Sequence, residues 1–121
     1  MAVIASAVSR DSVPGMVMVT WTPMTTTDTG TPFSAGYAAD FTIQVFGTFG
    51  GATATFQGSN DGTTWHALTQ RGGTASMAYT AAANHSCNEM PAFIRPIITA
   101  GTGTSLTVVM AVAARYAESP Y

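Results

Sequence analysis

Residues Gly51 to Leu68, reading GATATFQGSNDGTTWHAL, leave little choice of secondary structure. Ala52, Ala54 and Phe56 alternate with Thr53, Thr55 and Gln57. The run Gly58-Ser59-Asn60-Asp61-Gly62 then supplies turn residues, and Thr64-Trp65-His66-Ala67-Leu68 returns. A period of two on either side of an Asn-Asp-Gly turn is the pattern of a β-hairpin. The same period recurs elsewhere. Val17, Val19 and Trp21 alternate with Met16, Met18 and Thr20 up to Pro23, which is expected to end that strand. Phe41, Ile43 and Val45 alternate with Thr42 and Gln44, and Leu106, Val108, Met110 and Val112 form a long inward-facing set. Shorter strands are expected over 74–80 and 93–99, with Pro96 favouring an edge or a bulge in the second because it has no N–H. Residues 81–85 read as a loop, with a single helical turn as the alternative, and Met24 to Ala39 is the longest irregular stretch.

No segment reads as a helix longer than one turn. The chain is therefore expected to be all-β: an antiparallel β-sandwich of jelly-roll type with about seven to eight strands, one domain for a chain of this length. Its expected core is Trp21, Phe41, Ile43, Val45, Phe56, Trp65, Leu106, Val108 and Met110. Residues 1–12 read as an N-terminal arm or edge strand, 13–115 as the sandwich and 116–121 as a C-terminal tail.

The hairpin resembles one found in head decoration (cement) proteins of tailed bacteriophages, where a GATVTLxGSNDGTTW pattern recurs. A second segment adds to the likeness. Ala92-Phe93-Ile94-Arg95-Pro96-Ile97-Ile98-Thr99, a Gly/Thr turn at Gly101-Thr102-Gly103-Thr104 and the strand from Ser105 resemble the closing strands of such proteins. The resemblance covers the C-terminal two thirds of the chain. It implies a virion protein on the outer capsid surface, made in the host cytoplasm, with the major capsid protein and copies of itself, as a homotrimer, for partners. It implies no cofactor. The Ser-Asn-Asp-Gly-Thr-Thr-Trp turn also resembles discoidin-like sugar-binding modules, so a carbohydrate-binding β-sandwich is the alternative.

Composition bears on partners. Charged residues make up 8% of the chain and Lys is absent, against about 25% charged in an ordinary soluble domain. Thr and Ser wet the surface instead, which leaves little charge repulsion between copies and suits a subunit of a larger assembly. A net charge of −2 with four scattered Arg residues offers no basic patch, so no nucleic-acid partner is expected. The N-terminal apolar run lacks a cationic start and is too short for a span, so no membrane is expected either. The single cysteine, Cys87, excludes an intrachain disulfide.

Candidate chemistry is sparse. Asp28-Thr29-Gly30 matches the triplet of aspartic proteases, but Thr25-Thr26-Thr27 precedes it where that class has an apolar strand. It reads as an exposed polar turn at which Asp28→Asn changes stability little. His85, Cys87 and Glu89 share a face if extended, yet three or four ligands are needed for zinc and the set reads as an incidental loop. No nucleophile constellation is present, so no enzyme activity and no metal are expected. Asn60, Asp61 and Gly62 read as turn residues. Arg95, on an otherwise apolar strand, is expected to pair with Glu89 or Asp40, or to contact a partner subunit. The candidate partner-binding residues are Val3, Ile4, Phe33, Tyr37, Arg95, Tyr116 and Tyr121.

Overall fold

The computed structural model describes residues 2–9, 16–35 and 38–114. Tyr37, Tyr116 and Tyr121 therefore lie outside the described residues. In chain order the strands are β1 (Val3–Ile4), β2 (Ser6–Ser9), β3 (Met16–Met24), β4 (Thr29–Gly30), β5 (Phe33–Ser34) and β6 (Ala38–Thr48). They continue as β7 (Thr53–Ser59), β8 (His66–Ala67), β9 (Ala78–Tyr79), β10 (Ala83–Ser86), β11 (Phe93–Thr99) and β12 (Ser105–Ala114). Five form one sheet in the order β10-β6-β12-β3-β2. The other sheet runs β1-β4-β11-β7-β8, with β5 alongside β11 and β9 alongside β7. The sheets do not close into a barrel, and the chain is the expected all-β sandwich. Among the described residues only β1 and β4 pair in parallel.

The core follows from the period of two. Val17, Val19 and Trp21 of β3, Phe41, Ile43 and Val45 of β6, and Leu106, Val108, Met110 and Val112 of β12 all point inward and are buried. Ala54 and Phe56 of β7 and Ile94 and Ile98 of β11 meet them from the second sheet. Each full-sized side chain removed from water in this way contributes about 1.5–3 kcal/mol. Leu68, Met77 and Cys87 extend the core beneath the shorter strands.

Several local expectations are corrected. Pro23 does not end β3, which continues to Met24. The register against β12 jumps from Leu106↔Met24 to Val108↔Trp21, so Thr22 and Pro23 occupy a bulge, where a missing N–H breaks no ladder. The loop expected over 81–85 is confined to its first two residues, because Ala83–Ser86 pairs with β6 from Ala83↔Val45 to Ser86↔Thr42. The stretch from 24 to 39 contains β4 and β5, each too short to carry a period. Pro96 is not at a sheet edge, since β11 lies between β7 on one side and β4 with β5 on the other. The N–H of Ile98 donates to the carbonyl of Asp28, so by alternation the ring nitrogen of Pro96 faces the same side, in the gap between β5 and β4.

Asp28 is buried rather than exposed. Its Oδ2 accepts from the Thr25 N–H and the Thr25 hydroxyl, both at 2.8 Å, and its Oδ1 accepts from the Ala2 N–H at 3.1 Å. Burial pushes this carboxyl up, but those donors outweigh burial and hold it below the ordinary aspartate value. A depressed folded-state value contributes stability above the unfolded value near 4, and that stability is lost as pH falls through the folded value. An amide at this position turns a donor toward other donors. Asp28→Asn is therefore expected to lower stability by about 1–2 kcal/mol at neutral pH, with the deficit shrinking below about pH 4 as the native carboxylate takes up its proton. Thermal melts of both proteins across pH check this; a pH-independent difference counts against it.

Candidate interaction surfaces

The outer face of the five-stranded sheet is built from the alternate residues whose neighbours form the core. Strand register places Met16 beside Ala113 and Asp40, Met18 beside Ala111 and Thr42, Thr20 beside Val109 and Gln44, and Thr107 beside Phe46. Phe46 is 42% exposed, unusual for a ring of that size, whereas the two methionines, Val109 and Ala111 are half-buried. The short side chains Ala111 and Ala113 leave two hollows of about 80 Å³ each between the taller methionines and Val109. Asp40 is the only charge among these positions. It sits at one corner in a bidentate pair with Arg71, both partners exposed, so the pair neutralises the corner while contributing little stability. With strands about 4.8 Å apart and about 3.4 Å per residue, the five strands present a footprint of about 600 Å², somewhat below the roughly 800 Å² that each partner gives to a standard subunit contact.

The outer face of the seven-stranded sheet has another chemistry. Val3 pairs with Thr29, Thr29 with Ile97 and Ile97 with Thr55, forming one row across β1, β4, β11 and β7. The next row holds Arg95 opposite Gln57. The structure thus brings Val3 and Arg95, two of the sequence candidates, to one face. Val3 is 66% exposed. Ile4 instead packs partly against the core and Phe33 is buried within it, so the Phe33 ring is not presented to a partner. Trp65, expected in the core, lies half-buried on this outer face, because it shares the phase of Ala67, which pairs with the outward-facing Gln57. The Arg95 guanidinium carbon stands 4.1 Å from the centroid of the Trp65 ring, and its Nε donates to Gln57 Oε1 at 3.0 Å.

The carboxylates expected to pair with Arg95 are engaged elsewhere. Asp40 holds Arg71, and Glu89 accepts from the N–H and hydroxyl of Thr69 and from the Cys87 thiol. His85 stacks on Tyr79 at 5.3 Å, and Cys87 is buried, its thiol pushed up to about 12 chiefly by that burial. Among the described residues no three His, Cys, Asp or Glu side chains converge as a metal site would require. A third region is a cleft of about 460 Å³ between the hairpin and the 89–91 segment, bordered by Asn60, His66, Leu68, Glu89 and Met90. On its rim Asn60 Oδ1 accepts from the Ala92 N–H, and in the adjoining turn Asp61 Oδ1 accepts from the N–H groups of Thr63 and Thr64 and from the Ser59 hydroxyl. Those bonds hold Asp61 well below the usual carboxylate range.

Sequence reasoning missed the uncharged face. Its signal lay in the outward phase of two strands, Met16 and Met18 on one and Val109, Ala111 and Ala113 on the other, which is nearly as apolar as the inward phase.

No protein-family model and no curated protein matches this chain. Solved structures do resemble it. A protein derived from the SPBc2 prophage, YomS, superposes with a TM-score of 0.63 at 14% identity, covering 85% of this chain and 98% of that one. Oxalate oxidase gives a TM-score of 0.49 at 15% identity, and the Cnp3 cupin domain of Schizosaccharomyces pombe gives 0.46 at 10%. The chain spans only 42% and 62% of those two. The first likeness is one of fold.

Proposed function

We propose that this chain is a structural protein of a tailed-phage particle that decorates the outside of the head as a homotrimer and clamps neighbouring major capsid subunits. The observation that carries this reading is the nearly uncharged outer face of the five-stranded sheet. Identical copies gathered around an axis bring like charges together, so a face stripped of charge is suited to contact between copies. Methionines and small residues there give an adaptable surface. The hairpin resemblance and the fold shared with a prophage-derived protein support the phage setting.

This function needs no catalysis, metal or cofactor. A protein that binds only the assembled shell adds its binding free energy to that state by mass action, and three linked copies convert weak contacts into avidity. The test is co-sedimentation of purified protein with capsids lacking it, together with light scattering of the free protein. Three times the 12.5 kDa of one chain is expected; a stable monomer at micromolar concentration counts against the trimer. Val109→Glu should give monomers while shifting the fold's own stability by less than about 1 kcal/mol, as for a surface substitution. An unaltered oligomer in that variant places the self-contact elsewhere.

A second reading, glycan binding, is favoured by the cleft beside the hairpin turn, whose volume falls in the range of small-ligand sites. Binding on a glycan array that is abolished by His66→Ala would support it over the capsid reading.

A further inference from the structure

Arg95 is a half-buried cation without a counter-charge among the described residues. It lies between Ile94 and Pro96 on β11, with Phe93 and Ile97 half-buried on either side along the same face. Burial depresses its pKa, and no neighbouring carboxylate offsets that effect. Withdrawing a guanidinium from water without an anion to meet it is unfavourable, and a natural fold ordinarily resolves it with an acid. Here the surroundings hold the cation instead. Trp65 supports the guanidinium plane from one side, and Gln57 fixes its rotation through Nε. Among the described residues neither Nη group, the pair that makes a bidentate fork, has an acceptor. A guanidinium oriented in this way is organised in advance for a planar, two-oxygen acceptor, and less side-chain freedom is lost when that acceptor arrives.

The surface around it selects the kind of partner. Neither hollow at the hairpin end is bordered by Arg95 or Trp65, so the site is separate from the cleft beside the turn. One face of Trp65 is occupied by the guanidinium, which removes it as a platform for a sugar ring. The exposed Val3 and the half-buried Ile97 and Phe93 supply apolar contact beside the charge. Trp and Arg together at the centre of such a patch are typical of residues that dominate protein–protein binding. In the proposed trimer the copies meet through the outer face of the five-stranded sheet, which leaves this face to a different protein.

The geometry points to an Asp or Glu side chain on the outer surface of the major capsid protein as the ligand of Arg95, docked bidentately with Val3 and Ile97 as its apolar rim. This rests on the capsid-decoration reading, and the experiment separates the two. Wild-type protein, Arg95→Met and Arg95→Lys are each titrated onto capsids lacking the decoration protein, at low and at physiological salt, and each free protein is melted. Methionine keeps the apolar stem, so Arg95→Met should melt at or above the wild-type temperature, with the uncompensated charge gone, yet bind capsids at least tenfold more weakly. Lysine keeps the charge without the fork and should recover part of the loss. Wild-type binding should weaken with salt more steeply than that of Arg95→Met.

Several results overturn the proposal. Arg95→Met that binds like wild type overturns it, and so does a matching salt dependence, which indicates an uncharged acceptor. If Arg95→Met melts much lower, Arg95→Lys decides: a folded lysine variant that binds as wild type removes the need for the fork and sinks the bidentate assignment. Wild-type protein that fails to sediment with capsids sinks the decoration reading and the proposal together, whereas wild-type binding matched by both variants sinks the proposal alone.

Discussion

A chain that begins at Ser9 is expected to melt about 15 °C below the full-length protein, a loss of about 4 kcal/mol for a domain of this size. The first residues are built into both sheets. β1 adds to the edge of the seven-stranded sheet and β2 to the edge of the five-stranded one, with only Ala5 between them. The carbonyls of Ala2 and Ile4 accept from Thr29 and Thr31 at 2.8 and 2.9 Å, and the N–H of Ser6 donates to the Thr31 hydroxyl at 3.1 Å. Deleting residues 1–8 removes these bonds, uncovers the core beneath Ile4 and takes a donor from the buried Asp28 carboxylate. Each lost bond costs about 1 kcal/mol, and more where a buried group is left unpaired, against a total stability of about 5–15 kcal/mol. Calorimetry of the shortened chain checks the figure. An unchanged melting temperature would return the segment to the role of a detachable arm.

The second large effect is expected at Gly30, where substitution by Ala should cost about 3 kcal/mol, at the upper end of overpacking penalties. The requirement is for space. A Cβ there stands 2.7 and 2.8 Å from the Pro96 ring and 2.8 Å from Cδ1 of Trp21. None of these atoms can swing aside. Pro96 is fixed within β11, and the Trp21 indole, fully buried, is tethered by its Nε1 donating to the Thr31 carbonyl at 3.0 Å. The indole therefore spans from one sheet to the backbone of the other through the gap that a missing side chain leaves. Equilibrium unfolding in urea measures the effect; a loss below about 1 kcal/mol would mean that the sheets separate locally with ease. Trp21→Phe is expected to partly relieve Gly30→Ala, so the two changes should be non-additive.

The long strands were readable because alternation over six or more residues has one solution when one face must be buried. Phe41, Ile43 and Val45, and Leu106 through Val112, face inward as that pattern demands. What escaped the pattern is non-local. The two-residue strands Thr29–Gly30 and Phe33–Ser34 exist because β11 offers them a ladder, and no property of those residues alone announces it. Trp65 shares the phase of Ala67, which pairs with the outward-facing Gln57, so its ring stands on the outer face and finds Arg95, thirty positions away in sequence. Arg95 was legible as unusual but its neighbours were not, since register against Gln57 decides them. Asp28 looked exposed among threonines because the donors that bury it include Ala2, at the far end of the preceding segment.

The position of β12 has a consequence for the order of events during synthesis. It lies between β6 and β3, pairing with both along nearly its whole length, although it follows both in the chain. Until the ribosome has released the polypeptide through Ala114, β3 and β6 have no common neighbour, and the five-stranded sheet is two separate pieces with open edges. The growing chain must therefore keep two apolar half-sheets from pairing wrongly until their shared centre emerges, and long-range closure of this kind is slow. Since the uncharged outer face spans β3, β12 and β6, it comes into being only at that last step. A nascent chain lacks this face until β12 has emerged, so in the proposed trimer contact between copies through it would have to wait for that strand.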